Sequence, residues 1–275
     1  MLSIQSNFAQ SVAMNSLNKN SDMLSTAMER LGTGFRINSA ADDAAGLQIA
    51  NRLTVQSRGM GVAQDNVANA TNLLGTADAS LDEVNSIALR MKDLATQSAN
   101  DTNSAADRTA LNSEYTELTA EVTRIMTETS FGGEKLLEGG KLAAAMNFQI
   151  GAGATEVLAF DATTEMGAIT TSRGLLGDVT SGANATTALG AVDTFISDVG
   201  GMRSKLGANI NRLDHTANNL ASVAQGTENA AGRIMDADFA VESSQMSKQQ
   251  MLMQSGISVL SNAGQTTQLI GSLLR

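Results

Sequence analysis

Few residues in this chain have the types and spacing that chemistry would need. Asp42 and Asp43 are adjacent carboxylates of the kind used in general acid–base work, but they follow Asn38 and Ser39 at a helix start. There, side-chain oxygens cap free backbone N–H groups and negative charge offsets the helix dipole, so capping is the simpler role. Asp236 and Asp238 flank a similar junction and read the same way. His215 is the only histidine and cysteine is absent, so neither a multi-histidine metal site nor a thiolate one can be built. Gly151-Ala152-Gly153 has two glycines of a phosphate-binding loop, yet the third is missing at the required spacing and a strand follows. Met246, Met251 and Met253 offer thioethers at near-helical spacing, which more often fill a core than bind a soft metal. No nucleophile, base and orienting group come together, so neither an enzyme nor a cofactor is expected.

The elements that carry these residues follow from composition. The 275 residues contain no Pro, Cys or Trp, one Tyr and seven Phe. Absence of proline removes the strongest helix interrupter and permits very long helices. A net charge of -10 without a clustered basic stripe opposes nucleic acid as a partner. No apolar run approaches the roughly 18 residues of a membrane span, and MLSIQSNFAQ lacks the basic and apolar regions of a secretion signal, so no membrane insertion is expected.

Apolar residues recur at alternating spacings of three and four. Met14, Leu17, Ser21, Leu24, Met28 and Leu31 form one such stripe; Leu74, Ala77, Leu81, Val84, Ala88 and Met91 form another. After a break at Asn100-Asp101-Thr102-Asn103 it resumes at Leu111, Tyr115, Leu118, Val122 and Ile125. Leu189 to Leu220 carries it again, with Gly200 and Gly201 a local weakness, and Met246 to Leu274 forms the last stripe. Between them Leu142, Ala144, Met146, Phe148 and Ile150 alternate strictly, a turn follows at 151–154, and Leu158 and Phe160 continue the alternation, which predicts a β-hairpin. Residues 163–187 are rich in Thr, Gly, Ala and Ser with little period, and read as an exposed tip. The fold class is mainly α: a long antiparallel helical coiled-coil rod with a small β-hairpin region and paired terminal helices.

Leu31 to Leu53, LGTGFRINSAADDAAGLQIANRL, closely resembles the N-terminal signature of bacterial flagellins. RMKDLATQSAN from Arg90 resembles the next flagellin segment, and NRLDHTANNL with RIMDADFAVESSQMSKQQMLMQSGISVLSNAGQ supplies the C-terminal match. The opening residues, RLDH and DADFAVESSQMSK are most similar to flagellins of lateral systems. The resemblance implies three regions: residues 1–40 with 236–275 as an inner terminal-helix domain, 41–162 with 188–235 as a helical rod domain, and 163–187 as the tip. It implies a subunit exported unfolded through the flagellar type III apparatus, cytoplasmic before export and afterwards part of an extracellular filament used for motility. Other flagellin subunits, an export chaperone, a cap and hook–filament junction proteins are the partners it implies. Self-assembly falls to Leu17, Leu24, Met28, Leu31, Met253, Ile257, Leu260, Ile270 and Leu274. Arg90, Leu94 and Glu114 fall where flagellins present a surface to Toll-like receptor 5. A lone terminal pair would bury little apolar area, so the ends are expected to fold on assembly. The rival readings are a hook–filament junction protein and a non-flagellar coiled-coil interaction protein.

Overall fold

The computed structural model describes residues 8–273, apart from the side chains of Ala9 and of 266–273. Six α-helices dominate: α1 Phe8–Thr33, α2 Ala44–Ser98, α3 Ala105–Glu128, α4 Thr163–Arg173, α5 Gly182–Met235 and α6 Phe239–Leu273. Between α3 and α4 lie four short strands, β1 Ser130–Phe131, β2 Glu134–Lys135, β3 Met146–Gln149 and β4 Val157–Phe160. The structure has the mainly helical fold with a hairpin region that the periodicities predict. α5 runs 54 residues straight through Gly200 and Gly201, because its buried stripe continues on either side of them.

Two compact units divide the chain, Met1–Val55 with Gly226–Arg275 and Gln56–Gln225. The division falls inside α2 and α5.

In the unit 56–225, α2 contributes Met60, Ala63, Val67, Ala70, Leu74, Ala77, Leu81, Val84, Ala88, Met91 and Ala95, all buried at alternating spacings of three and four. α5 contributes Ala185, Ala188, Val192, Phe195, Val199, Met202, Leu206 and Leu213 on the same pattern. The two sets share one core with Tyr115, Val122 and Met126 of α3. Alanine at every second or third step lets helices approach closely, and ion pairs fasten the rim: Arg203 to Asp78 at 2.9 Å and Asp82 at 2.7 Å, and Lys205 to Glu165 at 2.8 Å.

The predicted hairpin is present, with Met146 opposite Phe160 and Phe148 opposite Leu158. The smaller β1–β2 pair turns at Gly132 and Gly133, whose φ of 61° and 87° lie in the left-handed region. The sequence gives no apolar alternation there, and the pair was not foreseen.

Residues 163–187 correct the reading of an exposed, unpatterned tip. α4 buries Met166, Ile169 and Ser172, and Leu176 and Val179 beyond it are also buried. Polar side chains latch the following loop: the Ser98 hydroxyl donates to the Val179 carbonyl at 2.5 Å, the Asn112 amide oxygen accepts from the Val179 N–H at 2.9 Å, and the Tyr115 hydroxyl donates to the Leu176 carbonyl at 2.7 Å. Arg173 pairs with Glu138 at 2.8 Å. These contacts are remote in sequence and leave no local period.

Burial, with the charge of Asp178 second, pushes the Tyr115 hydroxyl up to about 12. Its folded-state value lies above the ordinary one near 10, so the stability that depends on the neutral phenol is fully present below pH 10 and is lost as pH rises through about 12. Tyr115→Phe leaves the Leu176 carbonyl unpaired and is expected to destabilise this unit by about 1–3 kcal/mol in urea unfolding. The wild type should lose stability between pH 10 and 12 more steeply than the variant.

Candidate self-assembly interface

In the other unit, α1 and α6 pack antiparallel, so that Leu17 meets Gly256, Met23 meets Gln249 and Arg30 meets Glu242. α1 ends at Gly34, whose φ of 77° is a left-handed helix cap, and its N–H donates to the Arg30 carbonyl at 2.9 Å. Phe35 bridges Asp236, the Arg36 N–H donates to the Met235 carbonyl at 2.6 Å, and the Ala237 N–H donates to the Gly34 carbonyl at 2.9 Å. These bonds tie the end of α1 to the start of α6.

The acidic residues cap and brace. Asp42 accepts from the backbone N–H groups of Asn38 and Ser39 at 3.1 and 2.9 Å, which, with the Ser39 hydroxyl, hold its carboxyl below the usual range. Asp43 accepts from the Gly46 N–H at 2.8 Å and caps α2; Asp238 accepts from the Ala240 N–H at 2.9 Å and caps α6. Asp236 departs from that pattern, serving through its backbone in the bridge to Phe35.

The expected assembly residues separate into two sets. Leu17, Leu24 and Leu31 are half-buried in the contact with α6, alongside Asn20 and the fully buried Ala27. Met253 and Leu260 are half-buried on α6, in phase with Met246, Gln249 and Gly256. Met28 at 50% and Ile257 at 57% exposure lie outside this seam, as does Met14. The single stripe read from Met14 to Leu31 is therefore two: 17, 24 and 31 face α6, while 14, 21 and 28 run along the neighbouring open edge. Leu274 lies outside the described residues, and so does the side chain of Ile270.

Val12 on α1, and Phe239, Val241, Leu252 and Val259 on α6, are exposed and were not singled out from sequence. Leu252 and Val259 are one heptad apart, the spacing of a second apolar stripe. The seam itself is thin: the large apolar side chains within it are only half-buried, and the fully buried Gln249 points its amide nitrogen at the Met23 sulfur, 3.5 Å away, with its oxygen unpaired.

Arg90, Leu94 and Glu114 do not form one surface. Arg90 donates from Nε and a terminal nitrogen to Glu114 Oε1 at 2.9 and 2.7 Å, and both side chains are about half exposed. Leu94 is 1% exposed and belongs to the core. Four residues advance a helix about 40° beyond a full turn, enough to carry Leu94 from the rim into the seam. Among the described residues no cluster of His, Asp or Glu is arranged to hold a metal ion, and no helix is long and apolar enough to cross a membrane.

A helical structural subunit with an unsatisfied terminal helix pair is the class that this geometry defines. Residues 4–141 match the family described as bacterial flagellin N-terminal helical region, and residues 189–274 match bacterial flagellin C-terminal helical region. Flagellin A of Vibrio anguillarum is 34% identical over 379 aligned positions that cover 100% of both chains. A flagellin of Halalkalibacterium halodurans is 39% identical over 250 residues, 90% of this chain and 91% of that one. The crystal structure of Bacillus cereus flagellin aligns with a TM-score of 0.51 at 34% identity, covering 57% of this chain and 88% of that chain. A putative flagellar hook-associated protein from Vibrio parahaemolyticus shares the fold alone, with a TM-score of 0.58 at 16% identity over 71% of this chain and 100% of that one. The chain belongs to the bacterial flagellin family. It is a structural subunit of the flagellar filament.

A Cβ on Gly256 would lie 3.0 Å from a methyl of Leu17. Gly256→Val is therefore expected to force α1 and α6 apart and to destabilise the pair by about 1–3 kcal/mol. Limited proteolysis should cut the terminal helices faster in the variant and leave 56–225 unchanged.

Proposed function

We propose that the subunit polymerises through the outward faces of α1 and α6, which bury Val12, Met14, Met28, Leu252, Ile257 and Val259 against the terminal helices of neighbouring copies. Leu17, Leu24, Leu31, Met253 and Leu260 hold the pair together. The observation that carries this reading is that apolar side chains of the pair stand exposed on the outside while the seam within it is thin. No catalytic step takes part. A pair held this weakly folds fully when neighbours cover it, and costs little to unfold for passage through the type III flagellar apparatus, with an export chaperone on the C-terminal segment. The filament then lies outside the cell and serves motility, with cap and hook–filament junction proteins at its ends. Recognition by Toll-like receptor 5 rests on the exposed Arg90–Glu114 pair without Leu94; a reporter response to monomer is expected, and silence would remove it.

Purified monomer added to short filament seeds is expected to elongate them uniformly in negative-stain electron microscopy. Persistent capped seeds would favour the junction-protein reading instead. Ile257→Asn, at an exposed position, should leave monomer stability within about 0.5 kcal/mol yet slow elongation severalfold. Elongation by Ile257→Asn at the wild-type rate would count against the placement of the interface.

A further inference from the structure

The chain contains 14 methionines and no cysteine, so its sulfur is entirely thioether. Their accessibility is partitioned. In the unit 56–225, the core methionines Met60, Met91, Met126, Met166 and Met202 are 0–4% exposed, and Met146 on β3 is half-buried against that core. Among the described residues the exposed methionines are instead Met14 at 49%, Met23 at 44%, Met28 at 50% and Met251 at 65%, all on α1 or α6. Met23 has its sulfur engaged by Gln249 in the seam, whereas Met14 and Met28 share the open edge of α1 and Met251 stands next to exposed Leu252.

We propose that Met14, Met28 and Met251 are oxidative modification sites through which hydrogen peroxide reversibly blocks assembly of this subunit. The inference rests on the assembly reading above and adds a chemical control to that surface. In the reaction a thioether lone pair attacks one peroxide oxygen and the O–O bond breaks. A proton transfer releases water, so each methionine loses two electrons, gains one oxygen and becomes the sulfoxide. The sulfoxide is polar and chiral where the interface needs a flexible apolar side chain, and burying it without a donor is unfavourable. Methionines in the core of 56–225 are shielded, so peroxide at moderate dose modifies the assembly helices and leaves that unit intact. Once neighbours cover α1 and α6 the same sulfurs are shielded too, so the subunit is vulnerable before incorporation and resistant after it. Methionine sulfoxide reductase restores the thioether and with it the apolar face.

The test treats purified full-length monomer with hydrogen peroxide, quenches it, locates added oxygen by peptide mass spectrometry, and measures elongation of untreated seeds. Oxygen is expected first at Met14, Met28 and Met251, with elongation slowed about tenfold or more, the effect of destabilising the bound subunit by one order of magnitude in affinity. Sulfoxide reductase with a thiol reductant should restore the rate. A variant carrying Met14→Leu, Met28→Leu and Met251→Leu, compared only with its own untreated rate, should show no further loss of elongation on peroxide treatment, and Met28→Gln should slow elongation with no oxidant present. Oxidised wild type that elongates at the untreated rate would overturn the proposal while leaving the assembly reading in place; so would equal loss of elongation in the oxidised leucine variant. Untreated wild type that fails to elongate seeds would overturn the assembly reading and this proposal together.

Discussion

Close approach of helices is the constraint on which this protein depends. With no tryptophan and few aromatic residues, its cores are built from aliphatic side chains interleaved with alanine. Such a core gains enough only when helices lie near one another along a long contact, because each alanine removes little surface from water. The unit 56–225 meets that demand. α2 and α5 bury a residue at nearly every step of the alternating three-and-four spacing, Phe195 and Tyr115 add bulk, and Arg203 and Lys205 close the rim against Asp78, Asp82 and Glu165.

The pair α1–α6 meets the same constraint differently. Gly256 permits a close approach at Leu17, and Ala27 another further along, but that contact covers only one face of each helix. Val12, Met14, Met28, Leu252, Ile257 and Val259 consequently remain exposed. Polar Asn20 and Gln249 lie in the seam, where leucine would have made a stronger pair. A pair optimised for its own stability would carry apolar side chains throughout the seam and charge on its outer faces. Its arrangement suits helices whose final partners are other copies.

Helix positions and the β3–β4 hairpin were legible because each is encoded by a local period, three and four for the helices and two for the strands. What was not legible depended on remote partners. α4 carries only Met166 and Ile169 as large buried anchors, and its following loop is fixed by Ser98, Asn112 and Tyr115, which lie on α2 and α3. Leu94 was not legible as a core residue: the resemblance groups it with Arg90, but the step of four between them turns the helix from the rim into the seam. The apolar stripe of α1 was only partly legible: its period groups Leu17, Leu24 and Leu31 with Met14 and Met28, but period alone does not say which set faces α6. The interleaving of Ala27 and Asn20 with the leucines, at spacings of three and four, decides it once α6 is in place.

Methionine makes the contrast between the two units chemical as well as structural. The same residue type is used in the core of 56–225, where Met91, Met126 and Met202 are fully buried, and on the open faces of α1 and α6. Leucine or isoleucine would provide comparable apolar area, so hydrophobicity alone does not select methionine for exposed positions. Its unbranched thioether adjusts to an imperfectly matched neighbour, which is useful where the surface must fit more than one copy in a helical polymer. The same exposed sulfur is open to oxidants until a neighbour covers it. Adaptability and vulnerability therefore have one origin at these positions, and both follow from leaving the terminal pair incomplete.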